Sequence, residues 1–320
     1  MSTYLVTGGA GFIGSNIVSA LVRQGKTVRL LDNCATGKLS NLEGILNQIE
    51  FIQGDVRDLS IVRETVRDID YVLHQAALPS VARSVDNPIA TNEVNVTGTL
   101  NILVAARDAK VKRVVYASSS SAYGNSPVLP KREDMPANPI SPYAISKYAG
   151  EQYCKVFYTL YGLETIALRY FNVFGPRQSP SSQYAAAIPI FIKAFLEGKP
   201  PTIFGDGEQS RDFTFVENVV SANLFACHEK NASPLRAEGA AGEMFNIACG
   251  KRTTVNDLAR AIKNLLGSSV EPVYSKARKG DVRHSLADIT KARRILGYEP
   301  KVDLEAGLQK TIEWMKPFAE

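Results

Sequence analysis

The chain has 320 residues, 45% of them hydrophobic and 22% charged, with a formal net charge of +5. This is the make-up of a globular protein long enough for two lobes, and it excludes a disordered or fibrous chain. No apolar run reaches the ~18 residues that a membrane span needs, and no Lys/Arg-rich stretch points to nucleic acid.

Taken in chain order, the pattern predicts strands over 4–7, 27–31, 50–53, 71–74, 113–117 and 165–169. Between them it predicts helices over 12–24, 61–67, 89–109 and 143–161. Strands that alternate with helices imply βαβ crossovers and a parallel sheet covered on both faces. The strands are nearly all apolar, as double coverage requires. After about residue 172 the rhythm breaks in GPRQSPSS, and shorter elements follow. These are helices over 188–196, 216–228, 255–266, 289–296 and 304–315, a strand over 244–247, and a flexible loop over 231–242. The expected fold is α/β. A Rossmann-type doubly wound sheet occupies residues 1–172, and a smaller mixed α/β lobe occupies 173–320. Part of 213–250 packs back on the first domain.

The cysteines, Cys34, Cys154, Cys227 and Cys249, form no CxxC pair, so neither a zinc site nor a disulfide framework is expected. The opening MSTYLVTGG carries no basic-then-apolar leader. A soluble protein of a reducing, cytoplasmic compartment is expected.

The turn Thr7-Gly8-Gly9-Ala10-Gly11-Phe12-Ile13-Gly14 closes the first strand and opens the first helix. Glycines at 8, 11 and 14 let a diphosphate approach backbone N–H groups at a helix N-terminus. Asp32, followed by Asn33, ends the second strand. A carboxylate there accepts from a ribose diol and repels a 2′-phosphate, so NAD is favoured over NADP. Asp55 and Val56 follow the third strand, with the Asp55 carboxylate in reach of an adenine amino group. Gln75, Ala76 and Ala77 follow the fourth, with small residues where a ribose and diphosphate pass. His74, at the end of an apolar strand, reads as structural.

Tyr143 and Lys147 stand four apart and so share one helix face. An ammonium close to a phenol favours the phenolate and makes it a base usable near neutral pH. A tyrosine packed on a lysine stem would look the same.

TGGAGFIG, the pair in YAISK and the serine run 118–121 together resemble the extended short-chain dehydrogenase/reductase family. The resemblance covers nearly the whole chain, from residue 3 to about 315. It implies that Tyr143 and Lys147 work with an upstream serine, which falls on Ser119, with Ser120 beside it. It adds Gly37, Asn95 and Tyr170 to the cofactor residues. Related dehydratases carry an acid pair just after the serine, and the decarboxylases usually carry a glutamate. This chain has Ser119, Ser120, Ser121 and Ala122 there, so elimination is disfavoured and oxidation with re-reduction remains.

The segments RYFNVFGPRQ, YAAAIP, GDGEQSRDF and KGDVRHS are similar to those of UDP-hexose 4-epimerases. They imply a UDP-sugar substrate held by Asn172, Tyr184, Ala186, Ile188, Arg211, Arg278 and Asp281, with Ser80 and Arg83 at the sugar. In that group a tyrosine at the back of the sugar pocket excludes N-acetylated sugars. The resemblance places this gate on Ser285, which is small, so UDP-GlcNAc and UDP-GalNAc are expected to fit. Arg83 also keeps open a UDP-glucuronate 4-epimerase, and a reductase or a catalytically silent NAD sensor stand as further alternatives. The family implies a homodimer joined through a four-helix bundle of residues 89–109 and 143–161. Leu100, Leu103, Val104, Tyr153, Val156 and Phe157 are candidates for its apolar face.

Overall fold

The structure is a computed structural model that describes residues 2–179, 187–227, 239–277 and 282–318. The first six strands are β1 (Thr3–Thr7), β2 (Thr27–Asp32), β3 (Glu50–Gln53), β4 (Tyr71–His74), β5 (Arg113–Ser119) and β6 (Glu164–Tyr170). They are joined by α1 (Phe12–Arg23), α2 (Leu59–Thr65), α3 (Val81–Asp86), α4 (Pro88–Asn92), α5 (Gly98–Asp108) and α6 (Pro142–Tyr161). There follow β7 (Val173–Phe174), α7 (Ala187–Leu196), β8 (Thr202–Phe204), β9 (Ser210–Arg211), β10 (Thr214–Phe215) and α8 (Val216–Cys227). The chain then forms β11 (Met244–Ile247), β12 (Thr253–Thr254), α9 (Val255–Leu266), β13 (Val273–Ser275) and α10 (Leu304–Met315).

A seven-stranded parallel sheet runs in the order β11-β6-β5-β4-β1-β2-β3. The Rossmann-type fold expected from the strand–helix rhythm is present. Its edge is completed from the second half of the chain, because β11 pairs with β6, Ile247 opposite Tyr170. The strand order reverses between β1 and β4, and such a switch point opens a crevice at the carboxyl ends of the strands.

Successive strand residues point to opposite faces, and each face has its own core. Val6, Leu30, Leu73 and Val115 pack with α1 and α8 residues such as Ile17 and Val219. Leu5, Leu31, Val72 and Val114 pack with Val62, Ile102 and Phe157 from α2, α5 and α6. Double coverage is why these strands read as unbroken apolar runs. A third core, around Phe174, Phe191, Phe215, Leu258 and Leu308, belongs to the smaller lobe.

The long helix expected over 89–109 starts at Pro88, capped by the Asn87 side chain, and passes through a π-helical turn at Glu93–Thr97 before α5. The helix expected over 289–296 ends in a π-helical turn, Ala292–Leu296, stopped by Gly297 at φ 71°. Most of the expected loop over 231–242 lies outside the described residues. The apolar face proposed for a helix bundle needs correction. Leu103 and Phe157 are buried in this chain's own sheet core, and Leu100, Val104 and Tyr153 pack against it. Val156 stays exposed, and Ile89, Ile145 and Leu160 join it as exposed apolar residues of the same helices.

Candidate active site

The carboxyl ends of β1, β2 and β4 open into a cavity of about 1000 Å³ that extends to Tyr143 and Lys147. At its floor lies the glycine turn. Gly8 takes φ +67°, and a Cβ there would come within 2.7 Å of the Ala76 backbone. A Cβ on Gly14 would lie 2.2 Å from the Gly8 carbonyl oxygen. The turn therefore requires glycine at both positions, and its backbone stays open to a ligand at the start of α1.

Asp32 is fixed by the backbone. One carboxylate oxygen accepts from Ala10 N at 2.9 Å and the other from Cys34 N at 2.8 Å. Gly11, Phe12, Ile13, Asn33, Val56, Gln75, Ala76 and Ala77 line the same cavity, as expected for cofactor residues. Gly37 packs against the turn instead, its Cβ position 2.8 Å from the Ala10 backbone. The glycine cradle, the fixed acid and the length of the cavity fit a dinucleotide such as NAD.

Asp55 lines the cavity as expected, and Asn95 does not. The Asp55 carboxylate accepts from Arg57 N, Nε and Nη2 and from Asn33 Nδ2, at 2.8–3.0 Å. Arg57 first, then Asn33, holds it down to about 2 against the effect of burial. Asn95 is buried behind the wall, where its amide pairs both backbone groups of Leu78 and donates to Ser146 Oγ at 3.0 Å. It supports the cavity without lining it.

Helix α6 begins where Ser141 accepts from Ala144 N at 3.1 Å and Pro142 occupies the first turn. That start places Tyr143 in the first turn, where the helix field favours an anion. Ser119, at the end of β5, lies close enough to Tyr143 to act on its phenol, and its hydroxyl accepts from Ser121 N at 3.2 Å. Lys147 Nζ donates to the Ala117 carbonyl at 2.8 Å and lies 5.1 Å from the Tyr116 ring centroid. Burial pushes the phenol up, and Ser119 pulls it back. Burial also draws the Lys147 ammonium down to about 8, with Glu151 opposing. Ser120 follows in a 3₁₀ turn, Ser120–Tyr123, capped by the Ser119 side chain.

His74 is buried between two hydroxyls, with Nδ1 2.7 Å from Thr7 Oγ1 and Nε2 3.0 Å from Thr99 Oγ1. Burial drives it down to about 3, so it is a neutral strut, in line with the structural reading.

Of the substrate residues, Ser80 caps α3 in a strained conformation, φ 100°, and lines the cavity with Arg83. Asn172, at φ 36°, donates to the Asp212 carbonyl at 3.1 Å. Arg211 and Ser285 are brought together: Ser285 N donates to Ser210 O at 3.0 Å, and Arg211 Nη1 donates to Arg283 O at 3.2 Å. Ile188 is corrected, because it is buried in the core of the smaller lobe. Tyr184, Ala186, Arg278 and Asp281 lie outside the described residues.

Three participants had no clear signal in the sequence. Asn223, on α8, donates to the Tyr170 hydroxyl at 2.8 Å and accepts from Gln75 at 3.1 Å, so it orders two cavity residues from far along the chain. Arg177, at φ 73°, lines the cavity and donates to Ser15 O at 2.7 Å. Asp212 gathers the backbone N–H groups of Cys249, Gly250 and Ala287 at 3.0–3.2 Å. Its carboxyl is pushed up to about 6 by burial, against those bonds.

Residues 4–248 match the model of the NAD dependent epimerase/dehydratase family. The chain belongs to that family. Its members include a UDP-glucose 4-epimerase of Mycolicibacterium smegmatis, to which this chain is 41% identical over 318 residues, 98% of each chain. The solved UDP-glucose 4-epimerase of Thermotoga maritima, with UDP-glucose, is 41% identical with a TM-score of 0.92, covering 99% of this chain and 100% of its own. The UDP-N-acetylglucosamine 4-epimerase of Methanobrevibacter ruminantium, in complex with UDP-N-acetylmuramic acid, is 40% identical with a TM-score of 0.91, covering 98% of both. The cavity described above is thus the cofactor crevice of an NAD-dependent epimerase/dehydratase.

Proposed function

We propose that the chain interconverts UDP-hexoses at C4 through a transient 4-keto sugar, and that it accepts UDP-GlcNAc and UDP-GalNAc as well as UDP-glucose and UDP-galactose. The observation that carries this reading is that Tyr143 and Lys147 line a crevice fitted to a dinucleotide, with Lys147 bonded to the strand that ends in Ser119. No carboxylate follows Ser119 to drive an elimination.

When bound, oxidised NAD accepts the C4 hydride and returns it to the opposite face of the sugar. Tyr143, as phenolate, takes the proton of the 4-hydroxyl, with Ser119 bridging, and gives it back after the sugar has turned. Lys147 holds the phenolate by its charge, which burial alone would disfavour. Asp32 receives the adenosine ribose diol. Asn172, Arg211 and Arg278 hold the UDP diphosphate while the flat ketone rotates, since guanidinium forks match phosphate oxygens. Ser285 leaves room for the 2-N-acetyl group. No net redox change occurs, so the cofactor stays bound between turnovers.

The reading includes a homodimer through α4–α5 and α6 of two copies, where Ile89, Ile145, Val156 and Leu160 are exposed. It also includes a cytoplasmic site of action. Sedimentation of Leu160→Glu against the parent tests the dimer, and an unchanged mass removes it.

The deciding experiment incubates purified protein with UDP-GlcNAc and no added NAD and follows the anomeric protons by NMR. UDP-GalNAc is the expected product. Turnover of UDP-glucose alone would keep the chemistry and discard the Ser285 argument. Turnover of UDP-glucuronate alone would shift the reading to Arg83 and a carboxylated sugar. No turnover of any of the three would overturn the epimerase.

A further inference from the structure

Behind the Tyr143–Lys147 pair, a further turn along the same face of α6, lies Glu151, 2% exposed. Its carboxylate accepts from Ser118 Oγ at 2.5 Å and from Arg169 Nε and Nη2, both at 2.7 Å. Arg169, on β6, is equally buried and lies 4.6 Å from the Tyr123 ring centroid. Helix α6 therefore grips β5 at two consecutive residues: Lys147 holds the Ala117 carbonyl, and Glu151 holds the Ser118 hydroxyl. The next residue is Ser119, the last of β5 and close enough to lower the Tyr143 phenol.

Burying an ion pair costs desolvation that apolar residues of the same size avoid. This pair sits under the reacting groups and binds the strand that carries one of them. We propose that Glu151 is a positioning residue of the reaction, acting through Ser118 to hold the end of β5, and with it Ser119, in place beside the helix that carries Tyr143. The inference rests on the epimerase reading. Its charge acts in the same sense, since Glu151 is the first group that opposes the effect of burial on Lys147. The other ionisable groups around that ammonium are Tyr143 and Cys154 on α6, Tyr116 on β5 and His74 on β4.

Ser118→Ala tests this, because it removes one hydrogen bond and leaves the Glu151–Arg169 pair intact. Melting and circular dichroism verify its fold, and UDP-GlcNAc turnover is measured from acid to alkaline pH. We expect kcat to fall roughly tenfold, with KM within about twofold. The Tyr143 phenol, followed by NMR of isotope-labelled tyrosine and assigned with Tyr143→Phe, is expected to titrate at higher pH once Ser119 is free to move away from it. In Glu151→Gln, the alkaline limb of kcat is expected to move to lower pH as Lys147 loses its counter-charge. If that variant does not fold, Ser118→Ala decides alone. A folded Ser118→Ala protein with unchanged kcat and unchanged Tyr143 titration would overturn the proposal. If the parent turns over no UDP-sugar, the functional reading fails, and the phenol titration still judges the contact: a shift supports it, and no shift ends it.

Discussion

Lys147 Nζ donates to the Ala117 carbonyl at 2.8 Å, so one bond ties the helix that carries Tyr143 to the strand that ends in Ser119. The ammonium is thereby anchored beneath the site, and burial draws it down to about 8. A protonated Lys147 supports the phenolate, and a neutral one does not. Activity is therefore expected to fall as pH rises above about 8. Lys147→Arg, whose charge does not titrate in this range, should lower kcat and also remove the alkaline limb. Tyr143→Phe should cost about 10²–10⁴-fold in kcat with the fold kept. Steady-state rates across pH check both.

Gly14→Ala places a methyl 2.2 Å from the Gly8 carbonyl, a contact that only movement of the turn relieves. NAD affinity is expected to drop at least about tenfold, equivalent to about 1.4 kcal/mol. NAD released on denaturing the purified variant measures this, and a full complement of cofactor would contradict it.

Ser285→Tyr tests the gate. Ser285 is pinned through its backbone to Ser210, so a larger side chain cannot escape by shifting the strand without breaking that bond. We expect kcat/KM for UDP-GlcNAc to fall roughly 10- to 200-fold, the scale of steric discrimination in a pocket. The value for UDP-glucose should change little. Equal losses for both sugars would place the gate elsewhere.

His74 makes a linkage prediction. Its folded value is about 3 because of burial, against ~6.5 in an unfolded chain. Between those limits the unfolded state takes up a proton that the folded state refuses. Stability therefore falls as pH falls below about 6.5, by up to about 1.4 kcal/mol per pH unit. His74→Gln should be less stable at neutral pH by roughly 1–3 kcal/mol through lost hydrogen bonds, yet should lose less stability on acidification. Denaturant melts of both proteins at pH 7 and pH 5 provide the comparison.

The site was only partly legible in the chain. Gly8, Gly14 and Asp32 could be read because a turn that receives a diphosphate leaves few residue choices. Helical spacing put Tyr143 and Lys147 on one face, and the resemblance of the surrounding motifs gave the pair its role. Asp55 stands on the cavity wall where it was expected, and only the fold showed that Arg57 and Asn33 hold its carboxylate there. Ile188 misled because a motif position does not say which way a helix turns its side chain, and this one turns into the lobe's core.

What the sequence determined by itself was local: strand and helix order, the glycine turn and the doubly covered apolar strands. Each depends on neighbours within a few residues, where backbone geometry and periodicity act directly. Tertiary structure alone decided the rest. It set β11 beside β6 and brought Asn223 to Gln75 and Tyr170. It gave Ser118 to Glu151 and the Ala117 carbonyl to Lys147. These contacts join residues far apart along the chain, and their energy comes from burial and from pairing polar groups away from water, which only the packed fold brings about.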